Sequence, residues 1–248
     1  MKLLILVIFI LIAVYSITYA QSEEVISSEV INPRNPTWIT ECPYTSQYGH
    51  IPLCGVALTD NGTVGILLGD ESHPNNPDCE PLRLVVIATE TGEVISDVVL
   101  ETEYNCFYQW ECGSYNNLAT SLNDGFVYDY YTSLDHPRTA THLKEIDNDF
   151  NVVRELISEG QGFLIECIHA CPQANGYLCN SFGAVYFLNS QFQTIWAQAI
   201  QAIRGSALIS GYYLTWFCSP GESANRLNVS CIDIISGELV LCQSSNDG

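Results

Sequence analysis

From residue 50 onward, short apolar runs alternate with polar punctuation. Val, Ile, Tyr, Thr and Phe dominate the runs, and Asn-Gly, Asp-Gly, Pro and Ser clusters break them. That pattern predicts strands and tight turns. Helical periodicity is absent over any long stretch, and only residues 195–203 are ambiguous between strand and helix. The runs repeat in a fixed order: a strand, a tight turn, a second strand, a variable polar loop, then two strands joined by a short turn. The first half of this unit recurs at residues 56–68, 117–128, 162–178 and 206–214. Gly62, Gly125, Gly176 and Gly211 stand where the hairpin turn needs positive φ.

The second half aligns without gaps. Ile87, Ile146, Leu188 and Ile232 are equivalent, and Leu84, Leu143, Val185 and Val229 stand three residues before them. Gly92, Asn151, Gln193 and Gly237 stand five residues after, and Val94, Val153, Ile195 and Leu239 seven after. Asp147 and Asp233 occupy one slot. Each unit therefore reads as a meander of four strands, which cannot bury both faces of its sheet alone. The predicted fold is all-β, a propeller-like array of about four antiparallel four-stranded units centred near residues 77, 137, 181 and 224. The alternative is a β-sandwich with similar hairpins. Residues 184–196, ending in Phe192-Gln193-Thr194-Ile195-Trp196, carry a resemblance to quinoprotein-like (PQQ-type) β-propeller repeats. Thr91-Gly92 keeps the turn dipeptide, Ser236-Gly237 comes close, and Trp196 is the one docking tryptophan. The resemblance implies an architecture over most of residues 50–242 and no quinone site, so no cofactor is expected. Thr37-Trp38-Ile39-Thr40 is a candidate for an added strand.

The N-terminus changes the setting. Lys2, the apolar run of residues 3–14 and Thr18-Tyr19-Ala20 read as a signal peptide over 1–20, cut before Gln21. The alternative is an uncleaved membrane anchor. Residues 21–36 form a polar leader with Pro33 and Pro36, and 37–248 the β domain. No later segment is long and apolar enough to span a bilayer as a helix. The expected localisation is secreted, extracellular. The formal charge of −20, from 8 Lys+Arg against 28 Asp+Glu, argues against nucleic acid, whose phosphates need a basic surface. Eleven cysteines follow the signal, and in an oxidising compartment most should pair. Cys106 with Cys112, Cys167 with Cys179, and Cys218 with Cys231 are the expected disulfides, each closing a short loop or hairpin. An odd count leaves at least one thiol free, or paired with another chain. Asn61-Gly62-Thr63 and Asn228-Val229-Ser230 are N-glycosylation sequons.

Candidate chemistry is sparse. The five histidines are scattered, and no G-x-S-x-G elbow or calcium-loop signature occurs. Cys167-x-His169-x-Cys171 with Cys179 has zinc-like spacing, but in a secreted chain reads as disulfide-bearing. No metal site is expected. Aromatic residues crowd 104–131, and Tyr108, Trp110 and Tyr115 are the candidate binding residues, because Tyr and Trp join apolar area to a polar tip. The expected function is a non-enzymatic extracellular module binding a protein or carbohydrate, with oligomerisation open. The alternative is a secreted hydrolase or lyase with acidic residues at the propeller mouth. Exposed aromatics on a rim would favour the first, and a deep axial pocket of carboxylates the second.

Overall fold

A computed structural model describes residues 53–69, 81–102, 116–133, 139–159, 165–181, 183–200, 205–220 and 225–246. The expected signal peptide and polar leader, Thr37–Thr40, Tyr108, Trp110, Tyr115, Cys106 and Cys112 lie outside the described residues. Within them the chain forms sixteen strands and one short 3-10 turn, with no α-helix.

The strands fall into four antiparallel meanders in chain order. The first sheet is β1 (Leu53–Leu58), β2 (Thr63–Leu68), β3 (Leu82–Ala88) and β4 (Val94–Glu101). The second is β5 (Leu118–Thr120), β6 (Phe126–Ser133), β7 (Thr139–Ile146) and β8 (Val152–Glu159). The third is β9 (Ile165–Cys171), β10 (Gly176–Ser181), β11 (Ala184–Asn189) and β12 (Thr194–Ala199). The fourth is β13 (Gly205–Ile209), β14 (Tyr212–Pro220), β15 (Asn225–Asp233) and β16 (Leu239–Asn246). The ambiguous segment after residue 194 is thus an outer strand.

The turns explain the repeat, with one correction: in the third sheet the positive φ falls on Asn175 (+50) and not on Gly176. At the hairpin between β5 and β6, Gly125 has φ +103, and a Cβ there would lie 2.2 Å from the Ile146 carbonyl oxygen. The outer turns are closed by a side chain. Asp147 Oδ1 accepts from the Asp149 and Asn151 amides, Asn189 Oδ1 from Gln191 and Gln193, and Asp233 Oδ1 from Ile235 and Ser236. That is why the slot favours a short carboxylate or amide. The gapless alignment needs one correction here. The first and fourth sheets close this turn with Gly92 and Gly237 at φ +73. The second and third use Phe150 and Phe192 at φ +63 and +59 in a turn one residue shorter. Ladder partners on the outer strand therefore run Val94, Val152, Thr194 and Leu239, opposite Ile87, Ile146, Leu188 and Ile232. A bulge falls beside those four apolar residues in every sheet.

Consecutive sheets stack through three separate cores. One joins the first and second sheets around Leu67, Leu84, Phe126 and Tyr128. One joins the second and third around Val127, Leu143, Tyr177 and Leu188. One joins the third and fourth around Leu178, Val185, Tyr213 and Ile232. The two middle sheets bury both faces, which a two-layer sandwich does not require. Inner strands converge at Asn116: its carbonyl accepts from the Ile168 amide, its Oδ1 from Val56, and Asn117 donates to the Cys54 carbonyl. Four meanders stacked in series, the first strands of the first three converging at Asn116, make a propeller-like array.

The seams predict unequal costs. Leu143→Ala, fully buried between the second and third sheets, should lower stability by about 2–5 kcal/mol. Val229→Ala, at the equivalent position of the fourth sheet but half-buried, should cost about 1 kcal/mol or less. Urea unfolding of dilute protein measures both, and equal losses would mean that the fourth sheet is covered like the others.

Candidate interaction face

Each sheet turns one face forward, toward the next sheet in chain order, and one face rearward. The ladders put five forward positions in register. On the second strand they are Gly65, Val127, Leu178 and Leu214, then Leu67, Asp129, Asn180 and Trp216. On the third strand they are Leu84, Leu143, Val185 and Val229, then Val86, Glu145, Phe187 and Cys231. On the outer strand they are Ser96, Arg154, Trp196 and Leu241.

In the first three sheets these positions are occupied by the following sheet. Leu67, Asp129 and Asn180 are 0%, 1% and 1% exposed, whereas Trp216 is 38% exposed. A Cβ on Gly65 would lie 2.3 Å from the Phe126 ring of the second sheet. The outer-strand position is a docking point. Arg154 stacks over Phe192 and its Nη1 donates to the Ser190 carbonyl in the third sheet. Trp196 stacks on Phe187, donates Nε1–H to the Ile234 carbonyl of the fourth sheet at 2.9 Å, and packs on Gly237. Leu241 holds that place in the fourth sheet and is 39% exposed. Among the described residues no sheet covers the corresponding face of the fourth sheet, which carries Tyr212, Leu214, Trp216, Val229, Cys231 and Leu241. Apolar and aromatic residues this concentrated on one open face mark an interaction surface.

Two polar clusters lie in covered seams. Between the first and second sheets, Lys144 Nζ sits 2.5 Å from Glu101 Oε1 and 5.0 Å from the Tyr130 ring centre. Tyr128 donates to Glu101, and His142 Nδ1 lies 3.1 Å from Glu155 Oε1 while its ring stacks on Tyr130. Burial works against the Lys144 charge, but hydrogen bonds to Glu101 and Tyr130 raise its pKa overall. Burial first, and then Glu101, raise that of Tyr128. These groups satisfy one another, and among the described residues no buried side-chain polar atom lacks a partner. Between the third and fourth sheets, His169 Nε2 lies 3.2 Å from Cys167 Sγ and 3.1 Å from Ser206 Oγ, and Tyr213 donates to Asn180. Burial lowers the His169 pKa, which favours the neutral ring.

Two expected disulfides meet the wrong register. The turn after β9 spans four residues, so Cys171 opposes Gly176, Cys167 opposes Asn180, and Cys179 opposes Ile168. Opposed residues share a face. Cys167 therefore faces the fourth sheet and Cys179 the second, where its thiol is free. Cys231 opposes Leu214 while Cys218 opposes Leu227. That separates their backbones by roughly 13 Å along the ladder at the usual strand rise, beyond the ~7 Å reach of a disulfide, and the Cys231 thiol is free. Burial pushes the Cys171 thiol up to about 12 and that of Cys179 well above its ordinary range, so both are protonated and unreactive at neutral pH. Among the described residues no group of three or more His, Cys, Asp or Glu is placed to hold a metal. Asn61 is exposed at the β1–β2 turn, whereas Asn228 is half-buried within β15. Tyr212 and Trp216 are not among the binding residues expected from the sequence, because nothing in strand alternation separates an exposed strand aromatic from a buried one.

No protein-family model and no curated protein matches the chain. Solved structures similar to it include a protein of unknown function from Bacteroides caccae, 12% identical over 79% of this chain and 61% of that one, with a TM-score of 0.47. Another is the Neurospora crassa Pan2 WD40 domain, 11% identical over 81% and 68%, TM-score 0.42. A third is Chaetomium thermophilum Sqt1 bound to the N-terminus of ribosomal protein L10, 16% identical over 77% and 47%, TM-score 0.41. The chain spans about three fifths of the first of these and about half of the third. The propeller-like architecture rests on the seams above, not on these likenesses. No helix among the described residues is long and apolar enough to cross a membrane.

Asp129 offers a pH test. Both its carboxylate oxygens accept from Asn117 Nδ2 at 3.0 Å. Burial nonetheless raises its pKa well above the ordinary carboxylate range, against the lowering effect of hydrogen bonds from Asn117 and Tyr131. A carboxyl whose folded pKa exceeds its unfolded value is stabilising when protonated, and that contribution is lost as pH rises through the folded pKa. Asp129→Asn should therefore raise stability near pH 8 by about 1 kcal/mol or more, with the gain vanishing toward pH 4. Urea titrations across that range check the sign, and a gain confined to acid pH would show that the carboxyl is ionised.

Proposed function

We propose that the chain is a secreted, non-enzymatic interaction module that takes a protein partner on the open forward face of its fourth sheet. The single observation carrying this reading is Trp216. It stands where Leu67, Asp129 and Asn180 are buried by the next sheet, yet it is 38% exposed. Around it, Leu214, Val229 and Leu241 offer aliphatic area and Tyr212 a second aromatic anchor. A buried aromatic anchor ringed by aliphatic side chains is the composition of a protein interface core. A saccharide site would surround its aromatic rings with hydrogen-bonding groups, and this patch is mostly hydrocarbon. With a net charge of −20, the complementary partner carries its rim charge as Lys and Arg. Secretion is supported by Lys2, the apolar run of residues 3–14 and the small residues before Gln21.

Trp216 replaced by a photoreactive benzoylphenylalanine, in the exported full chain, tests the binding reading. Irradiation should give a discrete adduct from position 216 and none from the same probe at Ile235, a turn residue 76% exposed. Equal, diffuse labelling at both would sink it. Export has its own readout. Mass spectrometry should find a chain beginning at Gln21 with a glycan on Asn61, whereas a chain beginning at Met1 in the membrane fraction would support the anchor.

A further inference from the structure

The three covered seams are keyed in the same way. Phe126 on β6, Tyr177 on β10 and Tyr213 on β14 hold one ladder place, opposite Ile146, Leu188 and Ile232. Opposed residues share a face, and each aromatic–aliphatic pair points rearward into the core it shares with the preceding sheet. The Phe126 ring fills the space a Cβ on Gly65 would need. The Tyr177 hydroxyl accepts from the Leu122 amide of the second sheet, and the Tyr213 hydroxyl donates to Asn180 of the third. A second lock lies at the outer strand, where Arg154 donates to the Ser190 carbonyl and Trp196 to that of Ile234. Ser190 and Ile234 each stand two residues beyond the aliphatic member of the pair. On the receiving side, the fourth sheet has Leu214 where Gly65, Val127 and Leu178 lie. It has Trp216 in the slot of Asn180 and Leu241 in that of Trp196. Its forward face keeps the apolar seat for a ring, but puts an indole in place of the amide acceptor and an alkyl chain in place of the outer donor.

We infer that the partner presents an antiparallel strand pair whose central aromatic side chain, set opposite an aliphatic one and flanked by Lys or Arg, seats between Leu214 and Trp216. This rests on the binding reading above and specifies the chemistry of the partner. The Trp216 indole, 38% exposed, offers an incoming ring a face or an edge to pack on. Acid lies beside it: Asp233 stands opposite Tyr212 on the same face, and Glu238 is exposed in the adjoining turn. A cation next to the key ring is attracted by Asp233 and by the whole chain of −20, and an indole face also receives Lys or Arg. A second copy of this chain offers neither feature from its first sheet. It has Val64 at the ring place, opposite Ile87, and repeats the same negative charge. Salt screens attraction between opposite charges, so association with the basic partner should weaken as ionic strength rises.

A display library of disulfide-cyclised β-hairpins, randomised on one face, is the probe. It is panned on the exported full chain and counter-panned on Trp216→Ser, which leaves the charge unchanged and lies at an exposed position. Unchanged circular dichroism and urea midpoint would show that this variant folds, and Leu241→Ser is the counter-target if it does not. Hairpins that need the intact face should share one central aromatic, an aliphatic residue opposite it, and Lys or Arg beside it. Replacing that aromatic by Leu should weaken binding about tenfold or more. Binding should also weaken on going from about 0.01 M to about 0.15 M salt, as the Debye length shortens. Face-dependent hairpins with an aliphatic centre or acidic flanks overturn the inference, and so does binding that salt strengthens. If no face-dependent hairpin emerges but the benzoylphenylalanine at position 216 still gives a discrete adduct, the aromatic key falls and the binding reading stands. Neither hairpin nor discrete adduct removes both.

Discussion

Stacking of one sheet face on the next is the interaction on which everything else here depends. A meander of four strands with apolar residues on both faces cannot be stable alone. The second and third sheets satisfy this twice, with Leu143 and Ile146 or Val185 and Leu188 sending neighbouring side chains to opposite cores. The same few ladder positions serve each time, so the chain solves one packing problem and repeats it. Asn116 ties the inner strands at the hub, while Arg154 and Trp196 tie the outer strands to the following turns. A sheet is thereby held at both ends of its seam, and its angle to the next is fixed.

This constraint also accounts for the polar groups buried between sheets. Asp129 and Asn180 occupy the slot that holds Leu67 in the first sheet, and each is satisfied by a local partner, Asn117 or Tyr213. Glu145 is buried beside Arg154, Ser121 and Asn123, which together hold its pKa low despite burial. Asn180 is the one of these paired across a seam, to Tyr213 of the fourth sheet, so a mismatched sheet would leave it unpaired. The fourth sheet lacks such groups. Its forward face has Trp216 in the Asp129 slot and Cys231 in the Glu145 slot, hydrocarbon and a protonated thiol in place of buried charge. An apolar face of this kind can part from water and return to it, as a surface that meets a separate molecule must.

The sequence by itself determined that this is a strand protein of four repeated meanders. The apolar period, the turn residues and the Asp147 and Asp233 slot are local, and local signals survive in a single chain. The export signal proposed at residues 1–20 is a local pattern of the same kind. Tertiary structure decided the rest. Whether an apolar strand residue is core or open surface depends on what stacks over it, so Trp216 and Leu67 look alike until the first is found 38% exposed and the second 0%. One residue of turn length decided the pairing of Cys167 with Cys179: with four residues between Cys171 and Gly176, the two moved to opposite faces. Strand alternation has a period of two, so a shift of one residue reverses every side chain, and composition and spacing carry no record of which register the turn selects.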